Sequence, residues 1–437
     1  MGTDVGVYAD YMTLNRGGGS PPEPSAMRPK RRLTGSGNGT PPAKRSGGRM
    51  ARTGEVLNLI RLGKVETVTE LAKTMGLARS TVNERLDILQ QIGLLTTDGE
   101  TSPGRGRPAS LLAFNAAAGV TLVAQVGMSG TMLAITDLDA EILWRTQVQF
   151  DVARGPDALI ELICTVFKDA LAELDLSAGH VYGVGLGLPG DVEISTAPAS
   201  NRSGGSREWV NFHFAERLSQ SFHAPSFVDR DVNLMAIGEH RTGWRDANVL
   251  VSLKVGTVVA CGLVINHNVV RGATGMVGEI GHTKMAGVDL PCPCGSRGCL
   301  NTIAGGPALA AALVEQGYEA HTARDVADLA NAGIVPAGQA VREAGRHVGE
   351  VMASVINLLN PDVVTVWGYL VDTGDQFLVG MQESIYKSAL PSSARASVIT
   401  RARLGDDAGL RGAALAVIED ALAPEAIDEL VATADAG

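Results

Sequence analysis

The stretch from Glu279 to Cys299, EIGHTKMAGVDLPCPCGSRGC, places one histidine ahead of three closely spaced cysteines. The four candidate ligands are His282, Cys292, Cys294 and Cys299. Imidazole and thiolate are ligands that Zn²⁺ prefers, and four protein ligands complete the tetrahedron of a structural site. Gly295 and Gly298 permit the tight turns that bring three sulfurs to one point. The sequence therefore predicts a structural zinc ion held by these four residues.

Two other uses of the cysteines compete with zinc. Buried free cysteines pack as small hydrophobic groups, but Pro291, Pro293 and the glycines indicate a loop rather than a core. Disulfides are typical of oxidising compartments, and the N-terminal segment lacks the apolar stretch of a secretory signal. Zinc is the preferred interpretation.

The same residues carry a resemblance to a known family. The pattern ExGH from Glu279 to His282, followed by CxCGxxGC from Cys292 to Cys299, resembles the signature of the ROK family. This family groups bacterial sugar kinases with sugar-responsive repressors. The resemblance implies an α/β body with an actin-like, ribonuclease H-type duplication, in which two lobes enclose a sugar-binding cleft.

Charge is divided unevenly along the 437 residues. Residues 1–110 hold 16 Lys/Arg against 10 Asp/Glu, whereas the rest of the chain holds 21 against 37. This asymmetry predicts a basic module for a polyanion, attached to an acidic body. Residues 1–50 are rich in Gly, Pro, Ser and Arg without an apolar period, so we expect a disordered basic tail. Because no apolar run approaches the ~20 residues of a membrane helix, we expect a cytoplasmic protein with no membrane partner.

Residues 51–114 are expected to form three short helices followed by a wing. Thr67 and Glu70 have the spacing of a capping box. Gly76 is placed to end that second helix, and Ser80 to cap the third. A helix, a tight glycine turn and another helix are typical of a helix-turn-helix.

The third helix and the wing carry the candidate DNA contacts. Polar side chains on the outer face of the helix are suited to base edges and phosphates: Arg79, Ser80, Thr81, Asn83, Glu84 and Arg85. In the Gly/Pro-rich wing, Arg105 and Arg107 are suited to a narrow minor groove. This segment also resembles the winged helix-turn-helix of ROK repressors. We predict binding to a double-stranded operator, with a generic three-helix bundle as the alternative.

Residues 115–437 are predicted to form the sugar-sensor domain, with lobes at about 116–240 and 241–422. Alternating and apolar runs predict the strands Val120–Val126, Thr131–Asp137, Val181–Leu188, Ser226–Val228, Val249–Val255, Cys261–Ile265 and Val363–Val366. Pro156 is expected to open a helix, and another helix is expected near Gly345–Leu359.

The phosphate-binding elements of ROK kinases have changed in this sequence. Gln125 stands where the DxGGT loop of the kinases has its aspartate, Val258 where the GTGxG loop has a glycine, and Trp367 where a GG pair begins. Phosphoryl transfer needs close backbone approach and charge stabilisation. These changes predict that the protein is not an enzyme, with a sugar kinase carrying a DNA-binding domain as the alternative.

The sugar side of the cleft is closer to the family pattern. The resemblance implies sugar binding by Asn201, Asp231, Asn233, Glu279 and His282. Arg230 departs from the usual asparagine and is placed either to pair with Asp231 or to accept an anionic ligand. In the alternative, Asp231 and Glu279 form only structural ion pairs and bind no sugar.

Together these features predict a transcriptional regulator of carbohydrate metabolism, with repression as its expected mode. Its expected partners are operator DNA and a sugar or sugar phosphate effector. A second copy is also expected, giving a homodimer or a dimer of dimers, because two half-sites supply the specificity that one recognition helix lacks.

Overall fold

The computed structural model describes residues 52–98, 111–127, 130–151, 154–190, 209 and 212–434, which fall within one compact unit. The predicted tail 1–50 lies outside the described residues, as do Asn201, Arg105 and Arg107. No helix in the described ranges combines the length and apolar character needed to cross a bilayer.

Three helices open the described chain: α1 (Thr53–Arg61), α2 (Val68–Met75) and α3 (Arg79–Gln91). The predicted capping box is present, because the Thr67 hydroxyl accepts from the Glu70 backbone N–H and the Glu70 carboxylate accepts from that of Thr67. Gly76 ends α2 in the left-handed conformation, with φ 65°. The prediction for Ser80 was wrong. Ala78 occupies the N-cap position in an extended conformation, so Ser80 lies inside the first turn of α3.

A two-stranded antiparallel sheet follows α3. It pairs β1 (Leu95–Asp98) with β2 (Leu111–Phe114), and Leu95 lies opposite Phe114. The apolar face of α3 packs into the same buried cluster as α1 and α2, through Val82, Leu86 and Leu89.

Two five-stranded mixed sheets form the body. The first has the order β5-β4-β3-β6-β7, and its strands are β3 (Val120–Gly127), β4 (Gly130–Thr136), β5 (Ile142–Val148), β6 (Val181–Leu188) and β7 (Ser226–Arg230). The second has the order β10-β9-β8-β11-β12, and its strands are β8 (Val249–Val255), β9 (Val259–Ile265), β10 (Asn268–Val269), β11 (Val363–Trp367) and β12 (Val398–Arg401). In each sheet two antiparallel pairings precede two parallel ones. This repeated order confirms the predicted two-lobed α/β body.

Helices cover both sheets. They are α4 (Pro156–Glu173), α5 (Phe214–Phe222), α6 (Asp231–Gly243), α7 (Asn301–Ala304), α8 (Gly306–Val314), α9 (Ala323–Asn331), α10 (Val335–Leu359), α11 (Gln376–Ser388), α12 (Pro391–Ala396), α13 (Ala408–Ala421) and α14 (Pro424–Ala434). Helices α4 and α5 bury apolar side chains against the first sheet, and α8 to α11 do so against the second. Pro156 opens α4 as predicted, whereas α10 begins ten residues before the predicted Gly345.

The helix α13 returns to the first lobe, although the predicted boundary assigned it to the second. It packs against α6, β3 and β6. Helices α13 and α6 cross closely because each has a glycine at the contact. A Cβ on Gly412 would lie 1.7 Å from the Leu234 carbonyl oxygen, and one on Gly238 would lie 2.3 Å from that of Ala408. Close helix crossing therefore ties the last part of the body to the first sheet.

Candidate functional site

The predicted metal ligands converge in the loop between β10 and α7. The ligand atoms of His282, Cys292, Cys294 and Cys299 all lie within 4.8 Å of one another. Cys294 Sγ lies 3.8 Å from Cys299 Sγ, and Cys292 Sγ lies 3.6 Å from His282 Nδ1. A zinc tetrahedron with bonds of ~2.3 Å to sulfur and ~2.0–2.1 Å to nitrogen has edges close to these separations. The donor set and its spacing therefore fit a structural zinc ion.

Local backbone geometry produces this arrangement. Gly295 has φ 83° and Gly298 has φ 73°, as the predicted tight turns require. A Cβ on Gly298 would also lie 2.5 Å from the Val288 carbonyl oxygen. Arg297 donates to the Asp289 carboxylate at 2.7 Å, which braces the loop from outside.

Two charged groups surround the ligands. Lys284 Nζ lies 3.1 Å from Cys299 Sγ, where its charge balances thiolate. His282 presents Nδ1 to the cluster, while its Nε2 lies 3.7 Å from Glu279 Oε2. Carboxylates commonly stand on this side of metal-ligating imidazoles, although 3.7 Å is too long for a direct hydrogen bond. The metal site is thus connected to the cleft through Glu279.

A cavity of about 420 Å³ lies between the two lobes. Its first-lobe lining includes Gln125, Arg145 and Asp231, and its second-lobe lining includes Lys254 and Glu279. The volume is within the usual range for small-molecule sites.

Three consecutive residues at the β7–α6 junction form ion pairs with the second lobe. Asp229 pairs with Arg271 at 2.6 Å, and Asp231 Oδ2 accepts from Lys254 Nζ at 2.5 Å. Arg230, between them, pairs with Glu279. Arg230 therefore does not pair with Asp231, which was one of the two expectations for it. The carboxylate of Asp231 is neutralised by Lys254 instead.

The structure separates the predicted sugar ligands. Asp231, Glu279 and His282 line the cavity. Asn233 does not, because its position two residues into α6 turns the side chain inward, where it donates to Asp229 Oδ1 at 2.7 Å and is 1% exposed. Asn201 lies outside the described residues.

Sequence reasoning missed Lys254. A signal for it was available, since it is the one charged residue in the strand VLVSLKV. A single lysine in a strand that is otherwise buried needs an acceptor or a ligand.

Comparison with known proteins agrees with this geometry. A profile of the ROK family matches residues 121–420. The chain belongs to the ROK family.

Both branches of the ROK family are among its relatives. A putative xylose repressor of Caldicellulosiruptor sp. (strain Rt8B.4) is 27% identical over 368 residues, which cover 81% of this chain and 92% of that protein. A glucokinase of Halalkalibacterium halodurans is 32% identical over 303 residues, which cover 66% of this chain and 91% of that protein. The crystal structure of a ROK family transcriptional regulator, a homologue of the E. coli MLC protein, superposes with a TM-score of 0.70 at 22% identity. That match covers 88% of this chain and 99% of the other.

The residues that replace kinase motifs of the ROK family line the same cavity. Gln125, Val258 and Trp367 all contribute to its wall. The Trp367 indole is held in place, because its Nε1 donates to Asp406 Oδ1 at 3.1 Å. A large aromatic side chain thus occupies part of the cleft at the end of β11.

On α3, most of the predicted DNA-contacting residues face outward. Arg79, Ser80, Asn83 and Glu84 are exposed, and Thr81 is half-buried. The expectation that Arg85 lies on this outer face was wrong. Arg85 is 4% exposed because it follows Val82 by three residues and so shares the buried stripe of the helix.

Proposed function

We propose that this ROK protein is a cytoplasmic transcriptional repressor that binds operator DNA through residues 51–114 and a sugar or sugar derivative in the cleft. The supporting observation is the extent of the matches. The glucokinase match, of 303 residues, is about as long as the family stretch 121–420, whereas the xylose repressor match spans 368 residues. The repressor match is therefore longer than the family stretch, which supports a repressor with a part outside the ROK body.

The geometry of those helices favours DNA as the partner. Gly76 makes the turn between α2 and α3, and α3 exposes Arg79 and Asn83 on one side while Leu86 anchors the other. Arg79 Nη2 also donates to Thr69 on α2 at 3.1 Å, which sets the distance between the two helices. With β1 and β2, this arrangement supports a winged helix-turn-helix in which Arg79, Ser80, Thr81 and Asn83 contact DNA. Arg105 and Arg107 would extend those contacts from the wing.

Dimerisation follows from the size of one recognition helix. A single helix reads too few base pairs for genomic specificity, whereas two half-sites a helical turn apart give enough. We propose a homodimer or a dimer of dimers as the DNA-binding species.

The experiment is selection of bound fragments from a random DNA pool, followed by a gel mobility shift on the recovered sequence. Full-length protein should retard a two-fold symmetric sequence, and the Asn83→Ala variant should lose preference for it. Asn331→Ala, an exposed substitution on α9, is the matched control. Failure to recover any preferred sequence would contradict the proposal.

A sugar kinase is the second candidate, favoured by the glucokinase relative and by the presence of Asp231 and Glu279 in the cavity. Against it, both oxygens of Asp231 already accept hydrogen bonds, from Lys254 and from the Val232 backbone N–H, and the Trp367 indole occupies part of the cleft. We therefore expect no ATP-dependent phosphorylation of a sugar panel. Turnover above the rate of a heat-denatured sample would instead favour the kinase.

A further inference from the structure

Among the residues that the structure describes, each carboxylate that lines the cavity already accepts a hydrogen bond from a protein donor. Glu279 accepts from Arg230, Asp231 from Lys254, and Asp406 from the Trp367 indole. Carboxylates are acceptors that a neutral polyol would use for its hydroxyl groups. A neutral sugar entering this cavity therefore meets carboxylates whose charge is already paired, and it has to share them with protein donors.

The first of these pairs is locked. Arg230 is 5% exposed in its side chain, and its Nη1 also donates to the Val277 carbonyl at 2.8 Å and the Gly275 carbonyl at 3.3 Å. Separating Arg230 from Glu279 would leave a buried charge without compensation, which is strongly unfavourable. Arg230 thus occupies Glu279 Oε1 and neutralises the charge of that carboxylate, while backbone carbonyls hold the guanidinium in place.

Unlike Arg230, Lys254 has N–H donors that a ligand in the cavity can use. A lysine ammonium carries three N–H donors, and Lys254 gives one of them to Asp231. Its side chain retains 17% exposure and lines the cavity. An anion in the cavity can accept from Lys254 while Asp231 keeps its own hydrogen bond.

The space beside Lys254 is open. Gly256, two residues further along, also lines the cavity, and a Cβ built on it would meet no atom within 4 Å among the described residues. Within the described part of the chain, four cationic residues contribute to the lining, against the three carboxylates already engaged: Arg145, Arg230, Lys254 and Arg324. Arg145 is itself held by Asp407 at 3.1 Å.

We propose that Lys254 and Arg230 make the cleft selective for an anionic sugar, one that carries a phosphate or a carboxylate, over a neutral sugar. This inference rests on the proposed function, because it concerns the effector of the proposed repressor. Lys254 contacts the anionic group, and Arg230 weakens the binding of neutral sugars by occupying Glu279 Oε1 and pairing its charge.

Isothermal titration calorimetry tests the proposal with glucose, glucose 6-phosphate, glucuronate and inorganic phosphate as probes. Wild-type protein should bind inorganic phosphate, and at least one anionic sugar at least about tenfold more tightly than glucose. Comparison of glucose 6-phosphate with glucuronate shows which anionic group is preferred. Binding of glucose as tightly as both anionic sugars, or absence of binding by every anionic probe, would overturn the proposal.

Three substitutions separate the two roles. Lys254→Met should weaken phosphate binding at least about tenfold, Lys254→Arg should retain it, and Arg230→Asn should gain affinity for glucose. Unchanged phosphate binding in Lys254→Met would overturn the role of Lys254. Thermal melting confirms that each variant is folded, and Lys168→Met controls for the loss of one positive charge. Because DNA retardation is measured without ligand, its failure would count against the proposed function alone.

Discussion

The carboxylate of Asp428 accepts a hydrogen bond from the backbone N–H of Gly54 at 2.9 Å, across 374 residues of sequence. Its other oxygen accepts from the backbone N–H of Arg52 at the same distance. Arg52 occupies the N-cap position of α1 with φ 75° and supplies no side-chain cap. A residue of α14 therefore caps the first helix of the proposed DNA-binding module.

This contact is part of a larger packing surface. Ile427 and Val431 of α14 belong to the same buried cluster as Val56 and Leu57 of α1. A Cβ on Gly54 would lie 2.1 Å from the Pro424 carbonyl oxygen, so only glycine allows this approach of the two helices. The N-terminal helices are therefore held by the body as well as by one another.

Asp428→Ala is expected to destabilise the protein by about 0.5–2 kcal/mol, because it removes the acceptor for two backbone N–H groups of α1. Urea unfolding measures the loss, and Asp428→Asn should recover much of it because asparagine also caps helices well. Asp420→Ala, an exposed substitution on α13, is the matched control. Equal stability of the two alanine variants would contradict the capping role.

Zinc should be present at one ion per chain, and Cys294→Ser should lower both zinc content and melting temperature. Removing one of four ligands opens the tetrahedron that ties the loop together. Elemental analysis and thermal melting measure the two effects. Cys164→Ala, in α4 and outside the metal cluster, should keep its zinc. Purified wild-type protein without zinc would refute the site.

Local sequence patterns predicted the structural features that depend on residues close together in the chain. The capping box at Thr67, the turn at Gly76 and the spacing of the metal ligands all involve groups within a few turns of the chain, so their spacing alone carries the information. The two-lobed duplication followed from the family resemblance rather than from periodicity. The error for Arg85 arose because a long side chain at a stripe position can be buried along its stem, which a polarity pattern does not show.

Long-range pairings could not be predicted in the same way. Asp231 with Lys254, and Asp428 with Gly54, join distant parts of the chain that meet only once both lobes have folded. Asn233 does not line the cavity because of its position in the first turn of α6. The side chain follows Asp231 by two residues, and two residues on a helix point in different directions.

Arg79→Ala and Arg85→Ala should have different effects, because one side chain is exposed and the other is buried. Arg79→Ala should weaken DNA binding and lower its salt-dependence slope by about one, as expected for one lost phosphate contact. Arg85→Ala should lower stability by roughly 0.5–3 kcal/mol instead. Gel mobility shifts at several salt concentrations and urea unfolding distinguish them. If Arg85→Ala lowered the salt-dependence slope and left the stability at the wild-type value, Arg85 would be a DNA contact rather than a structural residue.

The last prediction concerns how the cleft and the N-terminal helices communicate. Asp406 lines the cavity immediately before α13 begins. At the other end of α13, Ile418 lies in the same buried cluster as Val56 of α1, and the neighbouring Glu419 pairs with Arg241 of α6 at 2.6 Å. Burial lowers the pKa of Arg61, and the charges of Glu419 and Asp139 oppose that shift. One helix thus runs from the cavity to the module, so a change in lobe separation on ligand binding would tilt α1.

Such a tilt would change the spacing of two recognition helices in a dimer, and half-sites tolerate little change in that spacing. Allosteric coupling is typically worth about 1–3 kcal/mol, or 5–150-fold in affinity. We expect Asp231→Ala to bind the selected DNA as wild type does but to lose its response to effector, because Asp231 of the first lobe holds Lys254 of the second, and a ligand on Lys254 can shift the lobes only through such a contact. Gel shifts with and without ligand measure this, with Asp157→Ala on α4 as the control. An undiminished response in Asp231→Ala would place the effector site outside this cleft.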